Sequence, residues 1–224
     1  MASLSNQVVV ITGAGGRLGR RIVQRFANEG ATIVAIVLND EEARSIPFPE
    51  NAEGWAFPVD VTNEQLVRAC FNQIGQQFPE IHALIHTVGG WEEKPFLETS
   101  MQDLDWMLRL NLTSAFLCFR EAARLMAGRG GRLIGIASAQ GADRGAARQV
   151  GYSAAKAGLI RLVESVAAEM QGSGVTAHAI APSKILYDDE DGPGVQVDDV
   201  VALCHSLVTS TGEALNGTTL RAYG

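Results

Sequence analysis

Val8-Val9-Val10-Ile11-Thr12-Gly13-Ala14-Gly15-Gly16-Arg17-Leu18-Gly19 is the stretch that decides the fold. Four consecutive apolar residues are the pattern of a parallel strand buried on both faces. The glycines behind them permit a tight turn and close approach of backbone to an anion. From Arg20 to Asn28, apolar Ile22, Val23, Phe26 and Ala27 recur at helical spacing. A helix that starts behind a glycine turn offers free N–H groups and the positive end of its dipole to a pyrophosphate. A bare strand–helix connection would need no such run of glycines, so we read the turn as a nucleotide cradle.

Outward from this unit the alternation continues to the C-terminus. Apolar segments at Thr32–Leu38, Trp55–Asp60, Ile81–His86, Arg132–Ala137, Val175–Ala181 and Thr218–Arg221 read as strands. Between them, Thr62 with Gln65 predicts a capping box for a helix ending near Phe78, and Ser100 with Asp103 opens a long helix through Met126. Further helices are expected from Gly151 to Gln171 and from Val200 to Leu207. Polar residues with Pro47 and Pro49 make the segment after the second strand a loop. The pattern predicts a three-layer α/β fold: a doubly wound parallel sheet of Rossmann type. Ligands then bind beyond the carboxyl ends of the strands. Gly13 to Gly19, Asp60, Gly89, Ser138 and Pro182 all follow strand ends and fall on one rim.

The 224 residues suffice for one large α/β domain with a substantial core. No stretch reaches the ~20 apolar residues of a membrane span, and the first residues lack a signal-peptide pattern. Three scattered cysteines (Cys70, Cys118, Cys204) lack metal-ligand spacing and read as buried free thiols of a reducing compartment. No metal site is expected. A net charge of −7 without a basic block argues against nucleic acid. A cytoplasmic protein that binds neither nucleic acid nor membrane is the expectation.

Gly151-Tyr152-Ser153-Ala154-Ala155-Lys156 carries the candidate chemistry. Residues four apart on a helix project from one face, which sets a phenol beside an ammonium. A nearby positive charge lowers a tyrosine pKa by favouring the phenolate. Ser138 precedes this helix at a strand end.

With these residues in place, the chain resembles the short-chain dehydrogenase/reductase family over nearly its whole length. Asn111, Ser138, Tyr152 and Lys156 match the family's catalytic asparagine, serine, tyrosine and lysine. The resemblance implies coenzyme contacts from Gly13, Gly15, Gly16, Arg17, Leu18 and Gly19, and an adenine contact from Asp60 and Val61. Gly89 would let the coenzyme approach, and Pro182 and Ile185 would flank the nicotinamide. It further implies NAD or NADP as coenzyme, a small carbonyl or alcohol substrate, and a homodimer or homotetramer. The whole chain, 1–224, then forms a single NAD(P)-binding domain with a short substrate lid at about 183–197. The implied reaction is hydride transfer, with Tyr152 as proton donor, Lys156 lowering its pKa, Ser138 holding the carbonyl oxygen and Asn111 holding a relay water.

Departures from the family pattern are specific. Arg17 stands where a glycine is usual. The second strand runs into Val37-Leu38-Asn39-Asp40, which meets neither coenzyme signature: Asp40 points to NAD, Arg17 to NADP, and the choice stays open. His86-Thr87-Val88-Gly89 replaces the usual motif, with His86 expected as a hydrogen-bonded structural residue. Gly89-Gly90-Trp91 is similar to dihydropteridine reductases, which makes such an enzyme the second reading; a non-catalytic redox sensor is the rival class. The acidic run Asp188 to Asp191 reads as a solvated, mobile loop that would disfavour anionic substrates, offset by Arg144 and Arg148.

Overall fold

The computed structural model describes residues 4–49, 52–210 and 213–224. Its centre is a seven-stranded sheet made of β1 (Val8–Thr12), β2 (Thr32–Val37), β3 (Gly54–Pro58), β4 (Ala83–His86), β5 (Gly131–Ile136), β6 (Val175–Pro182) and β9 (Thr219–Ala222). The order is β3-β2-β1-β4-β5-β6-β9 and every pairing is parallel. The strand order reverses beside β1, between β2 and β4. This is the switch point at which doubly wound sheets open a crevice.

Alternation along β1 shows why its apolar run is continuous. Val9 and Ile11 enter one core with helix α1 (Arg17–Asn28) and helix α8 (Val197–Thr209). Val10 enters the other, with α3 (Glu64–Gln77), α5 (Ser114–Met126) and α7 (Val150–Glu169). A strand covered by helices on both faces has no polar side to show. The three layers of the predicted Rossmann-type fold are therefore present.

Several local expectations shift. The cap of α3 is Asn63, whose side chain accepts from the N–H groups of Gln65 and Leu66. Thr62 lies one residue before the cap, and its hydroxyl donates to Asp60. The loop after β2 contains a short helix, α2 (Asp40–Arg44), capped by Asn39. Ser100 does form a capping box with Asp103 and starts α4 (Met101–Leu108). The long helix that follows is interrupted by a π-helical turn over Arg109–Thr113 before α5 begins.

After β6 the chain makes two minimal strands, β7 (Ile185–Leu186) and β8 (Val195–Gln196), which pair in parallel. Asp188 and Asp189 in the acidic run between them are largely exposed, as expected, but three of its four carboxylates are paired. Arg17 pairs with Asp189 at 2.5 Å and Glu190 at 2.7 Å, and Arg21 pairs with Asp188 and Asp198. The Arg17 guanidinium also lies 3.8 Å from the centre of the Tyr187 ring. These contacts fasten the segment to α1.

Candidate active site

A cleft of about 740 Å³ opens over the carboxyl ends of β1, β4 and β5. At one end lies the glycine turn. Gly13 adopts φ +70°, a conformation that glycine takes without strain. A Cβ on Gly19 would overlap the Gly13 carbonyl, so the start of α1 can press against the turn only without a side chain there. Gly16 is the N-cap of α1 and supplies no side-chain cap. Gly16, Arg17 and Leu18 line the cleft at this twelve-residue helix's positive end. The arrangement suits a pyrophosphate. Arg17, Lys156 and Lys184 face the cleft, and no carboxylate lines it. The acidic run acts on the cleft wall only through its cations, since Asp189 and Glu190 pair with Arg17 and Glu190 with Lys184.

At the other end the four chemical residues converge. Ser138 follows β5 and caps the short helix α6 (Ala139–Ala142) through the Gly141 N–H. Tyr152 and Lys156 come from adjacent turns of α7, with the Lys156 Nζ 5.8 Å from the phenol ring centre. Asn111 sits within the π turn, fully buried. Its Oδ1 accepts from the Gly90 N–H at 3.1 Å, while its Nδ2 donates to the carbonyls of Gly90 and Met107. All four line the same cleft as Gly89, Pro182 and Ile185.

Burial shapes the protonation of this end. The Lys156 ammonium donates to the Ile136 carbonyl at 2.7 Å, yet desolvation lowers its pKa to about 8. Burial raises the Tyr152 phenol above its usual value, against a hydrogen bond with Ser138 that pulls the other way. The expectation that Lys156 depresses the phenol is thus corrected. The ammonium is engaged by a backbone carbonyl rather than by the phenol oxygen, and desolvation dominates. A phenol held protonated at neutral pH is a proton donor.

Three expected coenzyme residues lie outside the cleft lining. Asp60 and Val61 follow β3 at the far side of the rim; the Asp60 carboxylate accepts from Thr62, and Val61 is buried. Gly15 faces the Glu42 side chain. Conversely, Thr87, Gly90, Gln140, Gln149 and Tyr187 line the cleft without having been singled out as site residues. Gln149 is the N-cap of α7, with non-helical backbone, so helical spacing from Tyr152 does not mark it. Nor is Tyr187 marked, because only the fold of the lid brings it to Arg17. Trp91 stands at the rim, 59 % exposed. His86 is enclosed between the Thr12 and Ser114 hydroxyls, away from the cleft.

A parallel doubly wound sheet with a glycine turn and a Ser-Tyr-Lys-Asn cluster at one crevice defines a dinucleotide-dependent oxidoreductase. Residues 7–188 match the family model described as short chain dehydrogenase. Nodulation protein G of Azospirillum brasilense is 35 % identical over 83 % of this chain and 77 % of its own length. D-threitol dehydrogenase of Mycolicibacterium smegmatis is 32 % identical over 83 % of this chain and 72 % of its own. Among solved structures, NAD⁺-bound xylitol dehydrogenase superposes with a TM-score of 0.90 over 100 % of both chains at 22 % identity, a likeness of fold. The chain belongs to the short-chain dehydrogenase family. Its members use NAD or NADP to interconvert alcohols and carbonyls, and this chain is an enzyme of that class acting on small molecules.

Proposed function

We propose that Tyr152 is the proton donor, Ser138 the carbonyl-oxygen ligand, and Lys156 and Asn111 the groups that organise the coenzyme end of a carbonyl reductase site. The observation that carries this reading is the convergence of these four side chains in one cleft with the glycine turn. A nicotinamide coenzyme held in this cleft would supply the hydride. Tyr152 passes its proton to the carbonyl oxygen as charge develops there, and the Ser138 hydroxyl stabilises that oxygen. Lys156, buried beside the site, is the cation available to a coenzyme ribose hydroxyl. Asn111 holds the Gly90 backbone and so the wall over which the coenzyme passes. Gly13, Gly16, Arg17, Leu18 and Gly19 take the pyrophosphate, with Pro182 and Ile185 against the nicotinamide. Residues 1–224 work as one coenzyme-binding unit, with 183–197 as its lid.

The test is Tyr152→Phe. Carbonyl reduction should fall by roughly 10²-fold or more while reduced nicotinamide still binds, read by its fluorescence. Retained turnover in this variant would remove the phenol from the chemistry. A flat-ring substrate such as a quinonoid dihydropterin is the second reading, favoured by the exposed Trp91 face at the rim; oxidation of reduced coenzyme by that compound checks it.

A homo-oligomer is part of the same reading. Phe116, Ala123, Leu162, Val166 and Met170 line an apolar groove of about 460 Å³ on the outer faces of α5 and α7. Light scattering that returns a monomer mass would overturn it. Buried thiols that form no disulfide support a cytoplasmic enzyme. The acidic balance supports one that binds neither nucleic acid nor membrane.

A further inference from the structure

β2 ends without the acid that often reads a coenzyme ribose: Leu38 stands there, 63 % exposed. The space beside it is nonetheless filled by a carboxylate. Glu42, on α2, folds back so that its Oε2 accepts from the Leu38 N–H at 3.0 Å. The same oxygen lies against the glycine turn, where a Cβ on Gly15 would meet it at 2.6 Å and the carboxyl carbon at 2.8 Å. Glu42 takes part in no ion pair, and its Oε1 has no hydrogen-bond partner among the described residues. The nearby Arg20 guanidinium donates to the Gly15 carbonyl and to the carbonyl and hydroxyl of Ser45 rather than to Glu42.

The position of this carboxylate along the sheet gives it a use. The reacting end of the cleft lies over β4 and β5, at Ser138 and Tyr152, and the pyrophosphate end lies over β1. A dinucleotide that continues in the same direction carries its second ribose past Gly15 to the end of β2. A carboxylate oxygen with no partner accepts from the vicinal hydroxyls of a ribose. The same charge repels a 2′-phosphate.

Resting on the dinucleotide reading above, we propose that Glu42 is the residue that selects NAD over NADP, supplying from α2 the acid that β2 lacks.

Equilibrium fluorescence titration with NADH and NADPH tests this without turnover, on the wild type, Glu42→Gln and Glu42→Ala. The wild type should bind NADH about tenfold or more tightly than NADPH. Glu42→Gln keeps an oxygen for the Leu38 N–H and removes the charge, so NADPH affinity should rise about tenfold with a smaller change for NADH. Glu42→Ala should weaken NADH as well. Equal affinities in the wild type, or a ratio unmoved in both variants at unchanged melting temperature, would overturn the role of Glu42 alone. Binding of neither coenzyme would overturn the dinucleotide reading, and Glu42 with it.

Discussion

The Asn111 carboxamide occupies the space that a side chain at Gly89 would need: a Cβ there would stand 2.7 Å from Oδ1 and 3.1 Å from the Lys156 Nζ. One glycine thus lets two polar groups of the site approach the same stretch of backbone. Gly89→Ala must push the amide, the ammonium or the 89–90 backbone aside. Misplacement of about 1 Å near reacting groups costs about 10²-fold. We expect kcat/KM to fall by that order while far-UV circular dichroism stays unchanged. Wild-type activity in the alanine variant would show that Asn111 and Lys156 tolerate the shift.

How the sequence does and does not disclose this site follows from the range of the interactions involved. Short-range signals are written in it: the apolar run of β1, the Ser100–Asp103 box, and Tyr152 one turn from Lys156. The cap of α3 moves by one residue because the next residue, Asn63, is itself a strong cap and accepts from the Gln65 and Leu66 N–H groups. The π turn around Asn111 lies within one continuous helical stretch, with no Gly or Pro to mark it in the sequence. The acidic run of the lid reads as solvated because its partners, Arg17 and Arg21, lie 167 to 173 residues away along the chain. Glu42 belongs to a polar stretch that reads as a loop, and only the winding of α2 returns its carboxylate to Leu38 and Gly15.

The pairing of Arg17 with Asp189 and Glu190 makes the lid sensitive to charge at the glycine turn. Exposed ion pairs contribute little to stability, so Arg17→Ala should leave the global unfolding midpoint close to that of wild type. Local opening of the lid is a smaller event than global unfolding and should respond more strongly. Amide exchange of residues 187–191 should accelerate in the variant, and in the wild type as salt is added. Unchanged exchange in both cases would show that the β7–β8 pairing alone holds the segment.

Lys156 gives stability a signature on the alkaline side. Its folded pKa, about 8, lies below the usual lysine value of 10.5 because burial disfavours the ammonium. Between these values the native state has shed a proton that the unfolded chain still binds, so stability rises with pH across the window. Measured without coenzyme, the wild type should gain about 2 kcal/mol relative to Lys156→Met between pH 8 and pH 10. Parallel pH profiles by urea unfolding would place the native titration elsewhere.

His86 predicts the opposite flank. Ser114 gives its own proton to the Leu110 carbonyl at 2.6 Å, so its oxygen is the acceptor for the His86 Nε2–H. Nδ1 is then the bare nitrogen that accepts from the Thr12 hydroxyl at 2.8 Å. Both ring nitrogens are satisfied in the neutral form, and burial together with the Lys156 charge lowers the pKa to about 3. As pH falls below about 6.5 the unfolded chain binds a proton that the native ring refuses, and stability is lost progressively down to about pH 3. At pH 5 the loss from this one group should be about 2 kcal/mol relative to pH 8. His86→Gln retains a donor and an acceptor without a titrating ring, so its stability should decline less between those pH values. The same decline in both proteins by urea unfolding would assign the acid sensitivity to other groups.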